Sequence, residues 1–150
     1  MTYQTERLAI ETYIAANWSS GPIGFDAQEF TPVAGSIMLT INSGAVLQGS
    51  VGRVSNRILH IGTLTISMFT AGGDGSQAWR GMAETLTGLL FNKRLTSAGV
   101  LATLPGTTFI RFSPPEIAPN EHPYISASFP VAPLHQTNLI APFVRYEYRS

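Results

Sequence analysis

Apolar and polar residues alternate through positions 63–68, with Leu64, Ile66 and Met68 set against Thr63, Thr65 and Ser67. A period of two marks a strand with one buried face. Gly72, Gly73 and Gly75 interrupt it and supply the backbone freedom of a tight reversal. The period then changes to three and four: Trp79, Met82, Ala83, Leu86 and Leu90 line one side of a helix. Asp74 or Ser76 is expected to cap its first N–H groups. Lys93 and Arg94 are expected to sit at its C-terminal dipole.

The same patterning divides the rest of the chain. Ile10, Tyr13, Ile14 and Trp18 share a face of a first helix over 5–18, which Ser19-Ser20-Gly21-Pro22 ends. A short extended piece, 23–25, leads into a loop. Ile37, Leu39 and Ile41 alternate as a strand, and Asn42-Ser43-Gly44 reads as a reversal that returns 45–51 as its hairpin partner. In 58–68 the apolar phase shifts near Gly62: Leu59 and Ile61 are odd-numbered, Leu64, Ile66 and Met68 even. Either a bulge at Gly62 restores the phase, or the first half of the strand serves a second surface. Residues 97–104 read as irregular. Thr108, Ile110 and Phe112 form a strand, Pro114 to Pro123 an extended loop, and Ile125, Ala127, Phe129 and Val131 another strand. Pro130 and Pro133 place the end of that strand on an edge or at a break. Residues 134–142 read as a loop, and Val144, Tyr146 and Tyr148 as a terminal strand. The sum is one α+β domain over 1–150: a mostly antiparallel sheet of about five or six strands with two helices packed on one face.

Composition adds one feature. Charged residues are 12% of the chain, against roughly 25% in an average soluble protein. A surface so poor in charge is expected to be covered in part by other subunits. Eight of the nine basic residues are arginine, whose planar fork suits fixed interfaces. Nine basic and nine acidic residues cancel, which argues against a nucleic-acid partner held by charge. With no cysteine there is no disulfide or zinc–thiolate site. No apolar run approaches the ~20 residues of a membrane span, and the N-terminal residues lack a signal-peptide layout. A soluble protein made inside the cell is the expectation.

Candidate chemistry is sparse. His60 lies within a strand, where a hydrogen-bonded structural role is favoured. Glu121, His122 and His135 follow no recognised metal-ligand spacing. The AGGDGS turn before a helix resembles an anion cradle, yet it lacks the lysine of a phosphate-binding loop, and Asp74 would repel a phosphate. No enzyme, cofactor or metal is expected.

The chain resembles the tail terminator proteins of long-tailed bacteriophages, the group that includes the lambda minor tail protein U. The resemblance spans nearly the whole chain. It rests on the opening helix ERLAIETYIAANW, the strand GTLTISMFTAGGDG feeding into SQAWRGMAETLTGLLF, the strand TTFIRF with its proline-rich follower, and the last strand FVRYEY. It implies a virion protein at the head-side end of the tail. There a ring, usually of six copies, caps the growing tail tube, stops its polymerisation and presents the surface that meets the head-side connector. The partners it implies are the chain itself, the tail tube protein and the connector or neck protein. A head-to-tail ring needs two different patches on each subunit, and Leu59, Ile61 and the loop bearing Arg53 and Arg57 are the candidate ring or tube contacts. Two readings from other classes stay beside it: another neck or tail-completion protein, and a small enzyme taking a phosphorylated ligand at the AGGDGS turn.

Overall fold

Two sixteen-residue strands form the spine of the molecule. In the computed structural model, which describes residues 3–48, 56–104, 106–114 and 122–149, β3 (Asn56–Ala71) pairs antiparallel with β7 (Leu134–Arg149) along their whole length. β2 (Ile37–Gln48) flanks β3, and β1 (Ile23–Gly24) joins β2 in parallel. On the other side of β7, β6 (Tyr124–Val131) pairs with its first half and β5 (Ile110–Phe112) with its second. β4 (Arg94–Leu95) lies outside β5 and completes a seven-stranded sheet.

Both helices cover one face. Ala9, Ile10, Tyr13 and Ile14 of α1 (Tyr3–Asn17) and Ala83, Leu86 and Leu90 of α2 (Ser76–Leu90) share a single core with Leu64, Ile66, Met68, Leu139, Ala141 and Phe143. The register sets Leu64 against Ala141 and Ile66 against Leu139, so even positions of β3 and odd positions of β7 face the helices. Full burial of a side chain such as Leu86 contributes about 1.5–3 kcal/mol. The Tyr13 hydroxyl donates to the Leu89 carbonyl at 2.6 Å and ties one helix to the other. Burial pushes the Tyr13 pKa up, which keeps that donor protonated. The α+β layering expected from the hydrophobic pattern is therefore present.

Four local expectations are corrected. Residues 37–48 are one strand, not a hairpin. A register shift between Ser43 and Val46 absorbs Gly44 and Ala45 as a bulge, and the antiparallel partner is β3. Residues 134–142 are not a loop but the first half of β7. Pro142 is tolerated in mid-strand because its missing N–H does not face β3. Tyr146 N–H donates to Phe109 O and Pro142 O accepts from Ser113 N–H, so even positions of β7 point their polar groups toward β5 and β6. Pro142 falls where β6 pairing stops at Ile140 and β5 pairing begins at Phe143. Third, the N-cap of α2 is Gly75, at φ 69°, and no side chain caps the helix; neither Asp74 nor Ser76 fills that role. Fourth, Lys93 and Arg94 lie beyond α2. The helix stops at Leu90, Asn92 takes a left-handed φ of 53°, and Arg94 belongs to β4.

Gly62 carries no bulge. Pairing of β3 with β7 runs unbroken from Asn56↔Arg149 to Ala71↔Leu134. Gly62 instead makes room for its cross-strand partner: a Cβ there would lie 2.6 Å from Phe143 Cζ. The phase shift in the sequence thus marks two faces. Leu64, Ile66 and Met68 face the helices, and Leu59 and Ile61 face the opposite side.

Candidate subunit interface

The helix-free face carries the residues singled out from the sequence. Leu59 is buried and Ile61 half-buried, but neither joins the core beneath the helices. Their cross-strand partners are Tyr146 and Val144 on β7, and Leu59 also faces Leu47 on β2. Arg57 stands on the same face opposite Tyr148, with its guanidinium carbon 5.8 Å from the Tyr146 ring centre. The structure therefore groups Arg57, Leu59 and Ile61 along one strand face. Arg53 lies outside the described residues.

Two arginines that the sequence did not flag meet Arg57 there. β4 and β5 pair Arg94 directly with Arg111, and β5 and β7 pair Arg111 with Val144. Arg57, Arg94 and Arg111 all line one concavity of about 200 Å³ with Tyr146 and Tyr148. None of its described lining residues bears a carboxylate. Arg111 Nη2 donates to Asn92 Oδ1 at 3.3 Å, while Arg111 Nε is buried without a hydrogen-bond partner. A wider cleft of about 590 Å³, lined by Thr96, Thr107, Phe109 and Glu147 among others, shares Tyr146 and Tyr148 with it. The available signal was the polar phase of the strand TTFIRF. Only the pairing of β4 with β5 brings Arg94 across from Arg111.

β6 forms a second surface. Its alternation predicts a half-buried strand, yet all eight of its residues are exposed. Tyr124, Ile125, Phe129 and Val131 are each 38–48% accessible. Among the described residues β6 pairs with β7 alone, so its outer edge is open. Between β6 and α2 runs a groove of about 400 Å³ lined by Trp79, Ala83, Tyr124, Ile125 and Leu139. Pro130 and Pro133 lie at the end of this edge strand, as the sequence implied.

The ionisable residues at the α1 end of the sheet form a structural cluster. Arg145 Nε donates to Glu6 Oε1 at 3.0 Å, and both side chains are almost fully buried. Burial raises the Glu6 pKa, and the Arg145 hydrogen bond and charge pull it partly back. His60 Nε2 lies 2.6 Å from Glu147 Oε2, and Tyr3 packs edge-on against the His60 ring at 5.7 Å. The hydrogen-bonded role expected for His60 is what the strand gives it. The other histidines are held separately: His122 stacks on Phe91, His135 bonds Ser128 Oγ at 2.6 Å, and Glu121 lies outside the described residues.

No family model matches the chain, and no curated protein matches it. A solved structure, named only by a sequence identifier that states no function, is 15% identical. It overlays with a TM-score of 0.62 over 100% of this chain and 99% of that one. At that identity the likeness speaks to the fold alone.

Proposed function

We propose that this chain is a structural virion subunit that caps a phage tail tube as a ring, ends its polymerisation and offers the tail surface that meets the head-side connector. The observation that carries the assembly step is β6, an edge strand with every residue exposed and four of them large and apolar. Open apolar edges invite pairing with another chain, and monomeric proteins blunt them with charge, proline, bulges or cover; β6 has Pro130 near its end and a register shift between Ile125 and Ala127, yet its large apolar side chains stay exposed. β6 carries no charged residue, in a chain only 12% charged. What supports the further step to tube capping is the resemblance in the order of helices and strands. The β6 edge and the arginine face lie on different parts of the sheet, which suits the two unlike patches of a head-to-tail ring.

Light scattering across a wide concentration range, followed by addition of the protein to polymerising tube subunits, tests the reading. The expected results are a discrete species of about six copies and tubes that stop growing. A protein that stays monomeric and leaves tube length unchanged would overturn the proposal. Connector binding without arrest of tube growth would assign it to the neck instead.

A further inference from the structure

We infer that the copies of this chain are joined by sheet augmentation: the outer edge of β6 in one copy adds, antiparallel, to the outer edge of β2 in the next, a contact that rests on the ring reading and specifies it. The four longest strands run β2-β3-β7-β6 across the sheet, so β2 and β6 lie on opposite sides of it. β1 pairs only with Ile37 and Met38 at the start of β2, and the Asp26 carboxylate accepts the Ile41 N–H at 3.1 Å. From Ser43 to Leu47 no described strand pairs with the outer side of β2. Val46 and Leu47 are exposed there. Neither β2 nor β6 carries a charged residue, whereas β3, β4, β5 and β7 each carry arginine. This reverses the usual placement, in which charge guards sheet edges against pairing.

The backbone is set to pair. Even positions of β7 bond toward β6, so Ala127 and Phe129, opposite Asn138 and Gln136, bond inward, while Ile125, Ser128 and Pro130 turn their polar groups out. Pro130 has no N–H to offer and ends the usable edge on the turn side, which leaves Ile125 to Ser128. On β2, the residues opposite even positions of β3 face outward. Ile37 is one, its N–H donating to Pro22 O, and beyond the register shift Val46, opposite His60, is another. Direction follows from topology: β6 runs parallel to β3, and β2 antiparallel to it. In a sheet continued from copy to copy by rotation, β6 therefore meets the next β2 antiparallel, the more stable pairing. The side-chain phase matches, with Leu47 and Phe129 on the helix-free face and Val46 and Ile125 on the helix face. Pairing two β6 edges with each other would close a dimer and leave β2 open in both copies. Joining unlike edges uses both and repeats from copy to copy, which a ring requires.

The chain has no cysteine, so introduced cysteines report the contact on the full chain, with a thermal melt to establish that each variant is folded. Leu47→Cys and Ala127→Cys are at exposed positions whose backbone groups bond inward. Across the new edge they fall in the close, non-hydrogen-bonded kind of pair, where a disulfide can form; Phe129→Cys covers the neighbouring register. After mixing and oxidation, a disulfide should join Leu47→Cys to one of the two β6 variants. None should join Leu47→Cys to Val100→Cys, exposed elsewhere. Ser128→Pro, which removes an outward N–H, should weaken association in sedimentation velocity by about tenfold or more. Ser128→Ala, which loses only the side-chain bonds to His135 and Thr137, should not. A ring that forms without the mixed disulfide would overturn the edge contact and leave the ring reading standing. The mixed disulfide in open polymers would keep the contact and remove the ring. A disulfide formed by Ala127→Cys or Phe129→Cys alone would assign β6 to a two-fold dimer, and the inference fails. Wild-type protein that stays monomeric, with variants that do not cross-link, would overturn both.

Discussion

Arg145 is the largest fully buried side chain, and Glu6 is its one ionic partner among the described residues. Breaking a buried pair leaves a charge in a medium that solvates it poorly, so Glu6→Ala should cost about 3–5 kcal/mol in urea unfolding at neutral pH. Replacing both partners by apolar residues, Glu6→Leu with Arg145→Met, should fall within about 1 kcal/mol of wild type or exceed it. The same pair gives a pH dependence. Burial raises the Glu6 pKa above its ordinary value of 4.5, so the folded state holds this proton more tightly than the unfolded chain. Its contribution is then fully present below 4.5 and is lost as pH rises through the folded value. Glu6→Gln should flatten that part of the stability profile, leaving other carboxylates to set the remainder. Gly62 makes the complementary case in packing. Gly62→Ala places a methyl group against the Phe143 ring and should cost about 1–3 kcal/mol; in a double-mutant cycle Phe143→Leu should relieve part of it. These two sites were unequally legible. The phase shift exposed Gly62 because alternation is a local signal. Glu6 and Arg145 stand 139 positions apart, and no local pattern records a pair made by the fold.

The helices were read correctly from the sequence because their partner is a core. α2 was legible from Ala83, Leu86 and Leu90, because the side that packs is the side that repeats. The long strands were cut short in reading because proline and glycine are local signals whose cost depends on what lies beside them. Pro142 looked like a strand terminator and is harmless where two flanking strands meet. Asn42-Ser43-Gly44 looked like a reversal and became part of a bulged strand, because β3 was the longer available partner. β6 differs again: it is the strand its alternation predicts, but a register shift between Ile125 and Ala127 puts Ile125 and Phe129 on opposite faces, and its apolar side chains stay exposed. Phe129→Ser with Val131→Ser should therefore leave the melting temperature within a few degrees of wild type and weaken assembly, read by light scattering. Leu59 makes the opposite case. At 6% accessibility its loss empties a packed site, so Leu59→Ser should destabilise the monomer by about 2–5 kcal/mol. That fall would confound an assembly assay. Ile61→Ser, at a half-buried position, is the cleaner probe of the helix-free face.

At the scale of the whole molecule, the distribution of charge is more informative than its total. A net charge of zero and a pI near 6.8 give no long-range repulsion between copies at neutral pH. Within that neutral total, three of the eight arginines gather at one concavity, while β6 carries four large exposed apolar side chains and no charge. Composition disclosed the shortage of charge and the preference for arginine. It could not disclose this segregation, which arises only when β4, β5 and β7 lie side by side. The two surfaces should respond oppositely to solution conditions. Raising sodium chloride from about 0.05 to 0.5 M shortens the screening length to a few ångströms and should weaken the contact made by the arginines. Moderate sodium sulfate strengthens apolar burial and should favour the contact made by β6, even as it screens the arginines. Sedimentation of wild type, Arg94→Glu and the β6 double variant in both salts separates the contributions. Arg94→Glu should lose most of its chloride sensitivity and keep a sulfate response; the β6 variant should do the reverse. A wild type indifferent to both salts would mean that neither surface holds the copies together.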